Sequence, residues 1–442
     1  MRFLQLLIIV WLGVHAQWAL AFLPIQHWQM ANGTQIYFVE NHDLPILDLS
    51  VEFPAGSSTD TAETSGRASM VQRLMAMGAG GLFEDQIAET LADVGAELSG
   101  SFDLDRAGLS LRILSTQQQR VRALDVLAKI IQQPEFADAI LERERARVIS
   151  ALKEADTKPE VIANRVLMKL LYGKHPYGLR GSGEPDSLTG LKRQDLVDFY
   201  RTHYTAGNAV IAMIGDIKRD EANRIAEMLT ENLPVGKTDN HLPAVEKPEP
   251  LIQKIAHPAT QSHILLAYPG LSRKDPDYFP LLVGNYILGG GGFVSRLMKE
   301  IRETRGLAYS VYSAFMPYQE KGPFEIGLQT KREQADEALH LAQKTLSDFV
   351  EQGPTEEELQ AARQNIVGGF PLRIDSNRKI LGYLGVIGFY DLPLTYLEDY
   401  VKAVEKVTVS QIKDAFQRRI DPAGMVTVVV GAEQTAPDFS CC

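Results

Sequence analysis

Hydrophobic and polar positions divide the chain into two runs of similar elements. Trp28 and Met30 alternate with polar residues up to Asn32-Gly33, a two-residue turn signal, and residues 35–39 alternate out again. The reading is a hairpin. A strand over 46–53 follows, ending at Pro54-Ala55-Gly56, then helices over 66–77 and 83–94. Gly78 terminates the first, and Glu84 and Asp85 suit the dipole at the start of the second. Alternation through Leu109, Leu111 and Ile113 predicts another strand, and Leu124, Leu127, Ala128 and Ile131 share one helical face. Helices over 140–155 and 161–171, a strand over 209–214 and a helix over 222–229 complete this run.

Residues 233–258 differ in character. Five prolines (Pro234, Pro243, Pro248, Pro250 and Pro258) among charged residues predict an extended linker. The earlier order then returns: a strand over 263–268, helices over 278–288 and 295–305, strands over 308–313 and 324–330, and a long helix over 333–351. Matches such as Gly108/Gly322, Leu114/Leu328 and Leu127/Leu341 share an offset of 214 (322 − 108 = 214). Order and echo together predict a duplicated α+β fold, each half an antiparallel sheet with helices on one face. The expected division is a leader over 1–21, a first domain over 22–232, the linker, a second domain over 259–436 and a tail over 437–442.

Composition narrows the function. The 442 residues are too many for one core, and 45% hydrophobic with 23% charged content is that of a globular protein. Lys plus Arg number 45 and Asp plus Glu 56, a formal charge of −11 without a basic run. Nucleic acid and anionic membrane are therefore poor partners, since phosphate-rich ligands need clustered cations. Arg2, the apolar run 3–14 and Ala19-Leu20-Ala21 form a cleavable export signal, too short to span a bilayer. A soluble periplasmic or extracellular protein is expected, with no membrane insertion of the mature chain. The only cysteines, Cys441 and Cys442, are adjacent and terminal, so they can neither staple a core nor build a zinc site.

Five segments carry a resemblance: VEFPAGSSTDTAETSGRASMVQRLM, LADVGAELSGSFDLDRAGLSLRIL, LLYGKHPYGLRGSGEPDSL, YRTHYTAGNAVIAMIGDI and SRLMKEIRETRGLAYSVYS. In this order and spacing the chain resembles the insulinase/pitrilysin-like zinc peptidases, among them the subunits of mitochondrial processing peptidase. The resemblance implies His-x-x-Glu-His on the first long helix, two imidazoles binding zinc and a carboxylate activating water. Ser69, Gln72 and Arg73 stand at those positions. A hydroxyl is a poor ligand, an amide takes no proton, and a guanidinium repels a cation. The family's third ligand should fall near Ile149-Ser150-Ala151, flanked by Glu144 and Glu154, and no His pair at i, i+4 exists elsewhere. The expectation is a chain with no metal and no catalytic residue of its own. His175, within GKHPYG, reads as a loop residue.

Two other features invite a role. Arg302 and Tyr309, seven positions apart, match a pair that in the family grips the substrate backbone near the scissile bond. On residues alone, Arg302 complements a helix dipole and Tyr309 packs in a core. Gly289, Gly290, Gly291 and Gly292 read as a joint between helices. The resemblance implies a mobile glycine-rich loop lining a substrate chamber. Together these imply a non-catalytic, substrate-binding subunit, with zinc supplied only by a homologous zinc-bearing partner and peptides as substrate. The alternative is a structural or peptide-binding homologue with no peptidase partner.

Overall fold

The computed structural model describes residues 24–238 and 241–432. The leader and the terminal cysteines lie outside the described residues. Strands of the first half are β1 (Gln26–Gln29), β2 (Gln35–Glu40), β3 (Ile46–Phe53), the short hairpin β4 (Gly78–Ala79) and β5 (Leu82–Phe83), β6 (Glu97–Phe102), β7 (Ala107–Leu114) and β8 (Val210–Gly215). The second half contributes β9 (Leu251–Ala256), β10 (Gln261–Pro269), β11 (Ala308–Phe315), β12 (Pro323–Lys331) and β13 (Val426–Ala432). The large sheets run β1-β2-β8-β3-β7-β6 and β9-β13-β10-β12-β11. Without β1 the two orders are identical. Each sheet holds one parallel pair, β2 with β8 and β9 with β13, and is otherwise antiparallel.

The duplication is in the topology, but the 214-residue echo is one residue out of phase. Leu109, Leu111 and Ile113 face the first core as Phe324, Ile326 and Leu328 face the second, 215 apart (324 − 109 = 215). Leu124 and Ile131 likewise correspond to Leu339 and Leu346. At offset 214 the largely exposed Leu114 would be paired with the buried Leu328. Apolar residues match by chance at a wrong phase, and a one-residue slip turns every strand side chain to the other face.

Each sheet has helices of its own half on its core face, as expected, and a helix of the other half on its opposite face. Helix Pro159–Tyr172 places Ala163, Leu167 and Leu171 against Ala267, Val426, Val428 and Val430 of the second sheet. Helix Asn377–Phe389 places Leu381 and Leu384 against Val39, Ala212 and Ile214 of the first. Gly388 makes this approach possible, since a Cβ there would lie 2.6 Å from Val210 and 2.7 Å from Tyr37. This exchange explains why β3 and β8 are buried along nearly their whole length. A third link is buried Asp105, which accepts from the hydroxyls of Tyr177 and Tyr390 and the N–H of Gln319, each at 2.7 Å.

Other differences are local. The hairpin connection spans Met30 to Thr34 rather than two residues, closed by Met30 N–H to Thr34 O at 2.9 Å. Within the expected linker, residues 251–256 form β9 and belong to the second sheet. The strand β6, whose residues are Glu-Leu-Ser-Gly-Ser-Phe, has no apolar alternation strong enough to have been predicted. Among the described residues, no helix is long and apolar enough to cross a membrane.

Candidate functional site

Ser69, Gln72 and Arg73 lie on helix Arg67–Leu74. Its N-terminus is capped from outside. The Asp60 carboxylate accepts from the N–H groups of Gly66 (3.1 Å) and Ala68 (3.2 Å) and from Arg67 Nε (3.3 Å). The Gln72 amide is held at both ends: Nε2 donates to Gly108 O at 2.7 Å, and Oε1 accepts from the Tyr204 hydroxyl at 3.3 Å. It clips the helix to β7. Arg73 reaches Glu144 of helix Asp138–Ala155 at 3.3 Å. Glu144 is buried (1% exposed) and also accepts from Arg143 (2.9 Å) and Arg147 (2.7 Å). Burial alone would raise its pKa, but the three guanidiniums outweigh burial and lower it. The carboxylate that faces the motif helix is therefore Glu144, already neutralised by arginine. Glu154 is exposed and pairs with Lys158 at 3.3 Å.

A zinc ion does not fit these residues. Tetrahedral zinc takes imidazole, thiolate or carboxylate ligands. Here position 72 offers an amide committed to the backbone and position 73 a cation. Among the described residues, no group of three His, Cys, Asp or Glu could hold a metal ion. His175 serves the fold. Its Nδ1 accepts from Tyr177 N–H at 3.1 Å, so Nε2 carries the proton and donates to Pro243 O at 2.9 Å.

In the second half, Arg302 and Tyr309 are brought together. Arg302 lies in a π-helical stretch, Met298–Thr304, closed by Gly306 at φ 64°. Gly306 N–H donates to Arg302 O at 3.0 Å and Leu307 N–H to Ile301 O at 2.9 Å. The guanidinium carbon sits 5.2 Å from the Tyr309 ring and 4.7 Å from the Phe293 ring. Tyr309 is 84% exposed and Phe293 65%, so Tyr309 does not pack in a core. Sequence reasoning missed Phe293; it follows the glycine run directly, and that adjacency was the available signal.

The glycines form compact turns. Gly289 and Gly290 end a π-helical segment, Tyr286–Gly290, and Gly292 begins a 3₁₀ turn, Gly292–Val294. Gly289 is pressed against β11, where a Cβ would lie 2.5 Å from Ser313 N. Gly292, at φ 62°, has open space around it. The run thus delivers Phe293 to Arg302.

A duplicated α+β scaffold with a zinc-type helix and an arginine–tyrosine pair at the start of an edge strand defines the class, a peptidase fold of the insulinase type. The family description "Insulinase (Peptidase family M16)" matches residues 37–182, and "Peptidase M16 inactive domain" matches residues 190–366. A solved structure of a peptidase M16 inactive domain from Pseudomonas fluorescens is 37% identical with a TM-score of 0.90, covering 92% of this chain and 98% of that one. "Non-peptidase homolog YmxG" of Helicobacter pylori is 25% identical over 382 residues, 86% of this chain and 87% of its own. The "Mitochondrial-processing peptidase subunit beta" of Lentinula edodes is 24% identical over 410 residues, 88% and 86% of the two chains. This chain belongs to the insulinase family, peptidase family M16, as a homologue without the family's zinc-binding residues.

Proposed function

We propose that the chain is the non-catalytic, substrate-holding subunit of a two-chain peptidase. The observation that carries this reading is a contrast. Helix Arg67–Leu74 has Gln72 and Arg73 tied into structural contacts, whereas Arg302 stands between two exposed aromatic rings. A guanidinium and a phenol so placed can donate to a peptide carbonyl and stabilise the oxyanion that forms when water adds to it. A zinc-bearing homologue would supply metal and base across a shared chamber. The peptide would add as a strand along an open sheet edge. Two such edges are β6 and β11, each the last strand of its sheet, and β11 starts beside Arg302. Residues 2–21 support export, and so a cell-envelope or extracellular substrate.

The test mixes the purified chain with a zinc-bearing homologue and follows peptide cleavage. The Arg302→Ala mixture should lose activity by orders of magnitude, since a lost oxyanion donor costs about 2.7–4 kcal/mol. Cleavage indifferent to both Arg302→Ala and Tyr309→Phe would favour the structural alternative.

A further inference from the structure

A cavity of about 610 Å³ opens where the two halves meet, and its lining is cationic although the chain is acidic. Lys237, Arg273 and Lys274 line it with one carboxylate, Asp391, a sum of +2 (3 − 1 = 2) on a chain of −11. The segment connecting the halves brings Lys237. It lies on the loop before β8 because Asn208 Oδ1 accepts from Thr238 N–H at 3.0 Å and Gly236 O accepts from the Thr205 hydroxyl at 2.8 Å. Gly207 permits the approach, since a Cβ there would lie 2.3 Å from Gly236 O. Arg273 comes from the second half, on the segment after β10, where its N–H donates to Tyr318 O at 2.7 Å.

The three cations are not alike. Lys274 pairs with Asp391 at 2.9 Å, just beyond the C-terminal end of helix Asn377–Phe389, where a cation complements the dipole. Neither Arg273 nor Lys237 pairs with a carboxylate among the described residues. The Arg273 guanidinium lies over the Tyr390 ring, 5.2 Å from its centre, and its Nε is shielded from solvent without a hydrogen bond. Tyr37 on β2 adds a neutral donor. Its side chain is 4% exposed and its ring stacks on His27 at 4.5 Å, yet its hydroxyl has no hydrogen-bond partner among the described residues. Burial, with help from the Asp391 charge, raises the Tyr37 pKa, so the phenol keeps its proton. Two unpaired cations and a phenol on one cavity are donors without an acceptor, an arrangement that is costly to leave empty-handed.

We infer that this cavity binds a phosphate group, either free or esterified on a small molecule. The inference is independent of the peptide-holding reading, because no residue of the cavity belongs to helix Arg67–Leu74 or to the cluster around Arg302. A phosphate ester near neutral pH carries close to two negative charges and three strong acceptor oxygens. The charges match Arg273 and Lys237, and the oxygens match those two groups and the Tyr37 hydroxyl. A carboxylate would bring one charge and two oxygens. A metal ion would meet three cations, and an apolar ligand would leave the charges unpaired. The cavity has the size of a small-molecule site and leaves room beside a phosphate for the body of an ester.

The test measures binding of phenyl phosphate, inorganic phosphate and benzoate to the full chain by titration calorimetry at one ionic strength. Phenyl phosphate should bind about tenfold more tightly than benzoate, the order expected of one additional charge-assisted hydrogen bond. Lys237→Gln, at an exposed position where folding is not at stake, should weaken phenyl phosphate about tenfold, and Tyr37→Phe should weaken it to a smaller extent. Inorganic phosphate should displace phenyl phosphate. Equal affinity of the two would make the free ion the ligand, and weaker binding of the ion would make it an ester. No binding of either phosphate, benzoate bound as tightly as phenyl phosphate, no displacement, or an affinity unchanged by Lys237→Gln or by Tyr37→Phe overturns the inference.

Discussion

At the scale of single residues, Gln72 and Arg73 of helix Arg67–Leu74 serve structural contacts, and two groups near the start of that helix titrate in opposite senses. Burial pushes Asp60 up to about 6, only partly offset by the N–H groups and the guanidinium it accepts from. Burial, with help from Arg67, pushes His203 down to about 4. Acidification from pH 6.5 to 4 therefore protonates Asp60 in the fold, which adds stability, while His203 resists a proton that the unfolded chain takes, which removes it. Asp60→Asn keeps an acceptor but abolishes the first effect. Its unfolding free energy, from urea titrations, should fall more steeply than that of the parent between pH 7 and 4.5, by about 2 kcal/mol. Parallel profiles would contradict the assignment. Glu144→Ala leaves Arg73, Arg143 and Arg147 facing one another and should cost about 1–3 kcal/mol in denaturant unfolding. The unsuitability of this helix for zinc was legible in two letters, Gln72 and Arg73, whose chemistry offers neither imidazole nor carboxylate. The exposure of Tyr309 was not, because a tyrosine among Leu307 and Val311 has the same pattern whether its ring turns inward or outward.

At the scale of elements, sequence reading succeeded for the strands whose apolar faces meet a core and failed at two edge strands, β6 and β9. Leu109, Leu111 and Ile113 announce a strand because alternation is the imprint of one buried face. Neither β6, polar along an open edge, nor β9, set among prolines, carries that imprint, though both are paired by backbone hydrogen bonds that side chains do not report. Of the exchanged helices, Pro159–Tyr172 was legible as a helix and Asn377–Phe389 was not read from the sequence; that each covers the other half's sheet was not legible either, since nothing local names the surface an apolar stripe will meet. Leu167→Ala and Leu384→Ala, both at fully buried positions between the halves, should each cost about 2–5 kcal/mol. Both should lower the stability of the whole chain in one transition, monitored by far-ultraviolet circular dichroism. A split in which only one half melts early would mean that the exchanged helices do not couple them.

At the scale of the whole molecule, reciprocal helices and the buried Asp105 clasp bind two similar halves into one body, with an open-edged strand at one end of each sheet. Under the proposed function, such a body would hold a peptide for a partner to cut. Expressed separately, the halves should fail to fold, because each sheet would expose the apolar face that the other's helix covers. Co-expression should restore a soluble pair, recovered by affinity capture of one half.

The most direct measurement is zinc content and peptide hydrolysis of the purified chain, alone and after mixing with a zinc-bearing homologue. Arginine and amide where imidazole and carboxylate would stand predict neither bound zinc nor hydrolysis in isolation, and turnover on mixing that depends on Arg302. One tightly held zinc per chain, with peptides cleaved by the chain unaided, would contradict the account.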